Sequence, residues 1–286
     1  MLPQDIQDSL HQELNLAVHN THSLTGGCIH QAAQLQTDQG TFFLKWNQLQ
    51  QAHNLRVEAQ GLSLLADTNT FHIPEIILQG ESATHCYLLL EFISSAPRAA
   101  NYWDYFGRTL AELHLHTQSY YGLPYDNYIG ALPQVNTPSD HWVSFFRDKR
   151  LRPMIKRAKD KSLLPMSVAK AFDELFIKLP ELLPSEKPSC LHGDLWGGNI
   201  VVNPNGLPTL IDPAVYYGYR EIELAFMTLF DRQPSRFYES YQEIYPLHPG
   251  WIDRMALYNL YPLLVHLNLF GAGYLNSIQN TLKHYV

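Results

Sequence analysis

The stretch Cys190-Leu191-His192-Gly193-Asp194-Leu195-Trp196-Gly197-Gly198-Asn199 carries the spacing H-x-D-x-x-x-x-N. In phosphoryl transfer this spacing has a geometric reason. The Asp has to reach the hydroxyl that attacks, while the Asn, five residues on, has to reach a magnesium ion held on the phosphates. Gly197 and Gly198 let the chain turn tightly between the two. Asp212 follows in the run LPTLIDPAVYYG, residues 207–218, at the end of an apolar strand-like segment where a second magnesium ligand is expected. The alternative, a surface turn that happens to read His-Gly-Asp, leaves Asp212 unexplained. The sequence therefore assigns Asp194 as general base and Asn199 and Asp212 as metal ligands.

Upstream of this loop the chain supplies the remaining parts of a nucleotide site. Lys45 lies in TFFLKW among apolar neighbours, where a buried ammonium is costly unless it is paired. Glu58, on the following helical segment, is the expected partner, and such a pair would hold Lys45 against the α- and β-phosphates. The competing reading is a Lys on the exposed edge of a hairpin. Gly26-Gly27-Cys28 stands between two strand candidates, where backbone N–H groups approach phosphates or merely form a common glycine turn. Glu91-Phe92-Ile93 ends a strand, and its main chain is expected to meet an adenine edge.

The periodicity predicts a helix over 3–18 and a β-hairpin, 29–36 with 40–46, about the turn Asp38-Gln39-Gly40. A helix over 54–66 and strands in PEIILQG and HCYLLLEFI follow. Beyond these the pattern turns helical: 102–118, 140–160, 166–183 and most of the chain from about 220. A Gly/Pro/Asn/Tyr-rich loop covers 120–139, and short apolar runs stand at 199–202 and 208–211. Strands early and helices late predict an α+β, two-lobed chain. The expected lobes are a small β-rich one over 1–93 and a larger helical one over 94–286, with a nucleotide in the cleft between them.

Composition narrows the partners. The net charge of −7 argues against nucleic acid, which calls for a basic face. The basic run at 147–161 reads as the solvated face of a helix. The polar, acidic start predicts no secretory leader. The apolar stretch Leu257 to Leu269 is broken by Asn259, Pro262, His266 and Asn268, so a membrane span is not expected and the cytoplasm is. Three cysteines without a CxxC pair imply neither a disulfide framework nor a zinc site. His114 and His116, two apart on a helix, point to different faces.

Five segments together resemble the fructosamine kinase (ketosamine-3-kinase) family, a branch of the protein-kinase-like fold related to aminoglycoside and choline kinases. They are GGCI at 26–29, FLKWN at 43–47, EAQGLSLL at 58–65, CLHGDLWGGN at 190–199 and IDPAVYYGYREIELAF at 211–226. The string HGDLWGGN is much more specific than the generic loop, and Tyr219 departs from the His that many members carry. The resemblance implies ATP and Mg2+ as cofactors and a ketosamine as acceptor, phosphorylated on its 3-hydroxyl in a deglycation repair reaction. It implies that Lys45, positioned by Glu58, clamps the phosphates, and that Glu91 to Ile93 form the adenine hinge. Trp196 either lines the acceptor side or braces the loop as a core residue, and Glu223 braces the loop from a helix. Some members pair a Cys at the position of Cys28 with its copy in a second chain. The resemblance thus leaves a monomer and a redox-sensitive, Cys28-linked homodimer both open. Two other functions fit the same parts: a kinase acting on an aminoglycoside or amino alcohol, and a nucleotide-binding pseudokinase. The second commonly lacks one of Lys45, Asp194, Asn199 or Asp212, all of which are present here.

Overall fold

The structure is a computed structural model that describes residues 2–24 and 30–286. Gly26, Gly27 and Cys28, and with them the phosphate-loop and redox-dimer expectations, lie outside the described residues. The chain divides into two compact units, residues 1–102 with 199–213, and residues 103–198 with 214–286. This differs from the single cut expected at 93/94. The short strands Ile200–Val202 and Pro208–Leu210 form a hairpin, and the hairpin is sewn to the first unit by main-chain bonds. Ala96 N–H donates to Val202 O (3.0 Å), Ala99 N–H to Gly206 O (2.9 Å) and Leu210 N–H to His72 O (3.3 Å). Bonds between such distant segments leave no periodic trace in either run.

In the first unit, helix α1 (Gln4–Leu14) precedes strands β1 (Val18–Leu24), β2 (Gln31–Thr37) and β3 (Gly40–Gln48). Helix α2 (Ala52–Asp67) and strands β4 (Ile76–Glu81) and β5 (His85–Glu91) follow. The five strands form one antiparallel sheet in the order β1-β2-β3-β5-β4. The helix expected over 3–18 stops at Leu14, because Asn15 takes a left-handed conformation (φ 52°) that ends it. Strand β1 was not expected: it is an edge strand with most side chains exposed, so it carries no apolar alternation to read.

Alternation along β3 decides where the chemistry lies. Leu44 and Trp46, with Tyr87 and Leu89 of β5, share one core with Ile6 and Leu10 of α1. Side chains one residue out of phase point to the other face. That places Lys45 on the face opposite α1, and there Glu58 of α2 meets it. Helix α2 anchors itself through Leu55, Ala59, Leu62 and Leu65, which are buried.

The second unit is helical, with helices Tyr102–Leu115, Met166–Leu182, Glu221–Met227, Ser235–Ile244, Trp251–Tyr258, Leu260–Phe270 and Leu275–Tyr285 among its elements. The helix expected over 140–160 is interrupted by a π turn at Phe146–Leu151. Pro153 stands two residues beyond it; it lacks an N–H and crowds the carbonyl of the preceding turn, which favours such a bulge. The bulge corrects the reading of the basic run. Arg152, Lys156, Arg157 and Lys159 are exposed, but Arg150 is buried. Its guanidinium stacks on Tyr216 (4.0 Å) and Phe145 (4.5 Å) and donates to Val135 O (2.6 Å) and Asn136 Oδ1 (2.7 Å). The expected loop over 120–139 contains a short strand pair, Asn127–Ile129 with Leu132–Gln134. From it Asn127 Nδ2 donates to Val215 O (2.8 Å) and Gln134 Nε2 to Ala214 O (2.9 Å). Among the described residues, no helix is long and apolar enough to cross a membrane.

Candidate active site

In the first unit, Lys45, Glu58 and Asp212 come together. Lys45 Nζ lies 2.7 Å from Glu58 Oε1 and 2.5 Å from Asp212 Oδ1. The Lys45 and Glu58 side chains are buried, whereas that of Asp212 is 37% exposed. Burial alone would lower the Lys45 ammonium, but the Asp212 and Glu58 carboxylates outweigh it and hold the group above its usual range. Burial pushes the Glu58 carboxyl up; Lys45 opposes that push and the charge of Asp212 adds to it. Asp212 sits in the left-handed region (φ 54°), a conformation that Asp tolerates better than most residues. Its main-chain oxygen lies 3.5 Å from Asn199 Nδ2, and Ile211 N–H donates to Asn199 O at 3.1 Å. The two expected metal ligands are thus neighbours on the hairpin that returns to this unit.

This oxygen-rich pair suits a hard divalent cation. Among the described residues no cluster of three His, Cys, Asp or Glu could hold a metal by itself. Magnesium is commonly held by one or two side chains plus phosphate oxygens and water, and the set here is of that kind.

A cavity of about 180 Å³ adjoins the same residues; Phe43, Leu62, Leu90, Ile93, Val201 and Asp212 are among those lining it. Glu91 and Phe92 line it too. The ladder between β3 and β5 ends at the pair Phe42–Glu91, so the main chain of Phe92 and Ile93 lies beyond the sheet. The Glu91 carboxylate is turned to His72 Nε2 (2.9 Å) and to Glu75 N–H (3.3 Å). The slot is thus apolar along its length, with the main chain of Phe92 and Ile93 at one end and a Lys with carboxylates at the other. His30 was not singled out in the sequence. Burial first, and the charge of Lys45 second, push its imidazole down to about 4, against the pull of Asp212.

In the second unit, the residues before Asn199 are held from behind. Strand Ser189–Leu191 pairs with Tyr216–Gly218. Gly193 then takes φ 84°, and a Cβ built on it would lie 2.0 Å from Ala214 O, so only glycine fits between His192 and Asp194. Glu223 grips the loop with both oxygens: Gly193 N–H donates to Oε1 (2.7 Å) and His192 N–H to Oε2 (3.1 Å). His114 Nε2 also lies 3.1 Å from Oε2, and Tyr241 Oη lies 2.7 Å from His114 Nδ1. Burial would raise the Glu223 carboxyl, but the hydrogen bonds from His114 and Gly193 help to hold it below its usual value. Burial lowers the His114 imidazole, so the ring is neutral and donates through Nε2. His114 is therefore a loop support, which its sequence spacing from His116 did not disclose. Trp196 is 39% exposed and lies over Gly198, where a Cβ would come within 2.4 Å of its ring.

This grip yields a prediction. Glu223→Gln keeps one acceptor but turns an NH2 group toward a donor, so about 1.5–3 kcal/mol of stability should be lost. The value of kcat should fall while KM for ATP changes little. Unfolding midpoints and steady-state kinetics read both effects, and an unchanged kcat would remove Glu223 from any part in positioning Asp194.

The fructosamine kinase family model matches residues 2–286. The chain is 38% identical over 272 residues to "Probable ketoamine kinase" of Synechocystis, covering 93% of this chain and 90% of that one. It is 35% identical over 277 residues to the chloroplastic protein-ribulosamine 3-kinase of Arabidopsis thaliana, covering 92% and 82%. The crystal structure of a candidate fructosamine-3-kinase from Haemophilus somnus superposes with a TM-score of 0.88 at 28% identity, over 99% of this chain and 97% of that one. Spectinomycin phosphotransferase, at 14% identity and a TM-score of 0.63 over 100% and 94%, shares the fold alone. With its kinase-like fold, and matched along nearly its whole length, this chain belongs to the fructosamine kinase family.

Proposed function

We propose that the chain is an ATP-dependent kinase that transfers the γ-phosphoryl group to the 3-hydroxyl of ketosamines, the adducts in which a rearranged sugar is carried on an amine. The observation that carries this reading is the Lys45–Glu58–Asp212 cluster in a chain of this family. Lys45 clamps the α- and β-phosphates, and Glu58 keeps its ammonium in place. The main chain of Glu91 to Ile93 meets the adenine edge. Asp194 accepts the proton of the 3-hydroxyl as the oxygen attacks phosphorus and the bond to ADP breaks. Asn199 and Asp212 are the residues that would hold magnesium, which when bound neutralises charge on the transferring phosphates. A phosphate on the 3-hydroxyl makes the adduct labile, so the amine is recovered.

A coupled ADP-release assay with ribuloselysine, fructoselysine, kanamycin and choline tests the reading. Turnover is expected with a ketosamine. Turnover with kanamycin or choline and with neither ketosamine would overturn the acceptor assignment, and no turnover with any of the four would favour a pseudokinase.

A further inference from the structure

A row of aromatic rings runs outward from the loop that carries Asp194. Trp196 packs edge-on against Phe230, with ring centroids 5.7 Å apart. Phe230 meets His266 at 5.1 Å, and His266 meets Tyr274 at 5.1 Å and Phe270 at 5.4 Å. Buried Phe226 backs the row. The rings come from the loop, from the turn after helix Glu221–Met227, and from the end of helix Leu260–Phe270 with the turn that follows. Phe230 and Phe270 are 49% and 55% exposed. Single exposed rings are ordinary, but a contiguous exposed row beside reacting groups marks a contact surface.

Three features say what this row receives. First, among the described residues no Lys or Arg stands over any of its rings, so no Lys or Arg of the described chain competes for a cation there. Second, His266 Nδ1 lies 2.7 Å from Pro262 O. A carbonyl only accepts, so Nδ1 carries the proton and Nε2 is left as an acceptor. Burial favours the neutral ring. Third, the chemistry of the acceptor sets the distance. Three bonds separate C3 of a ketosamine from its amine nitrogen, a secondary amine that is protonated at neutral pH. Trp196 stands two residues from Asp194 in the same loop, so with the 3-hydroxyl at Asp194 the subsite proposed below sets the nitrogen against Trp196.

We propose that this row is the subsite for the amine half of the acceptor. Trp196 and Phe230 face the protonated amine, while Phe270 and Tyr274 cover the alkyl stem behind it. The assignment rests on the ketosamine reading above. It makes the length of the amine substituent a determinant of specificity that lies outside the sugar site.

The test compares the ribulosamine adducts of lysine and of methylamine, which share sugar and nitrogen and differ in the stem. Phe230→Leu keeps apolar bulk and removes the π face, and Phe270→Ala truncates a side chain that is 55% exposed, so folding is expected to survive; unfolding midpoints check it. Phe230→Leu should raise KM for both adducts by about 3- to 30-fold, the range one cation–π contact supplies, with KM for ATP unaltered. Phe270→Ala should raise the ratio of KM for the lysine adduct to that for the methylamine adduct by about 3-fold or more. Unaltered KM in Phe230→Leu, or an unaltered ratio in Phe270→Ala, would overturn the subsite while wild-type turnover leaves the ketosamine reading intact. Where the wild type turns over only the fructosamine adducts of the same two amines, the same variants are read on those, and wild-type turnover of no adduct of either sugar would overturn both readings.

Discussion

Asp194→Asn is expected to cut turnover by on the order of 10²–10⁴-fold while ATP still binds. The substitution removes the proposed proton acceptor, while asparagine matches aspartate in shape. The loop around it is fixed by groups the substitution does not touch. Glu223 holds the N–H groups of His192 and Gly193, and Ala214 N–H donates to His192 O at 2.9 Å. Lys45, Glu58 and Asp212, proposed to face the phosphates, belong to the other unit and keep their contacts. Nucleotide titration should therefore give a Kd near that of the wild type, while single-turnover phosphorylation of a ketosamine is nearly lost. Wild-type turnover in this variant would mean that another group takes the proton.

Lys45→Met is expected to damage both catalysis and stability. One ammonium serves two carboxylates here, and its removal leaves Glu58 as an uncompensated charge with a side chain only 14% exposed. Breaking a buried pair from one side costs about 3–5 kcal/mol. Asp212, at 37% exposed, adds little to that cost because solvent reaches it. Turnover should fall about 10²–10³-fold for the loss of one charge aimed at the phosphates.

The pH dependence of the stability loss has a definite sign. Burial already raises the Glu58 carboxyl, and without Lys45 it rises further. A carboxyl whose folded pKa lies above its unfolded value makes the folded state bind more protons, so stability falls as pH rises from the usual carboxylate range through the raised value. The deficit of Lys45→Met relative to wild type should be smaller at pH 5 than at pH 8 in chemical denaturation. Adding Glu58→Gln should recover part of the stability and none of the turnover. Equal deficits at the two pH values would show that Glu58 does not carry the penalty.

The legibility of the site in the sequence differs residue by residue. Lys45 was readable because an ammonium among Phe42, Phe43, Leu44 and Trp46 demands a partner, and a period-two strand followed by helix α2 leaves few candidates. Glu91 to Ile93 was readable as the end of an apolar run. Strand β1 was not, since an edge strand with mostly exposed side chains carries no pattern. Nor was the burial of Arg150, which depends on a bulge in the helix and on aromatic rings supplied by Tyr216 and Phe145.

The chain by itself pointed to its family, through the strings at 190–199 and 211–226, to a Lys that needs a carboxylate, and to the residues proposed to take the proton and to hold the metal. These are matters of residue type and short spacing, and they survive in one dimension. Tertiary structure alone decided the sharing. Lys45 meets Asp212 across 167 positions, Glu223 takes hold of a loop 30 residues before it, and three separate segments bring Trp196, Phe230, His266 and Phe270 into one row. Local periodicity specifies which face of an element is apolar. Which distant face meets it is settled only when the whole core closes, because the contacts that repay chain entropy there are non-local.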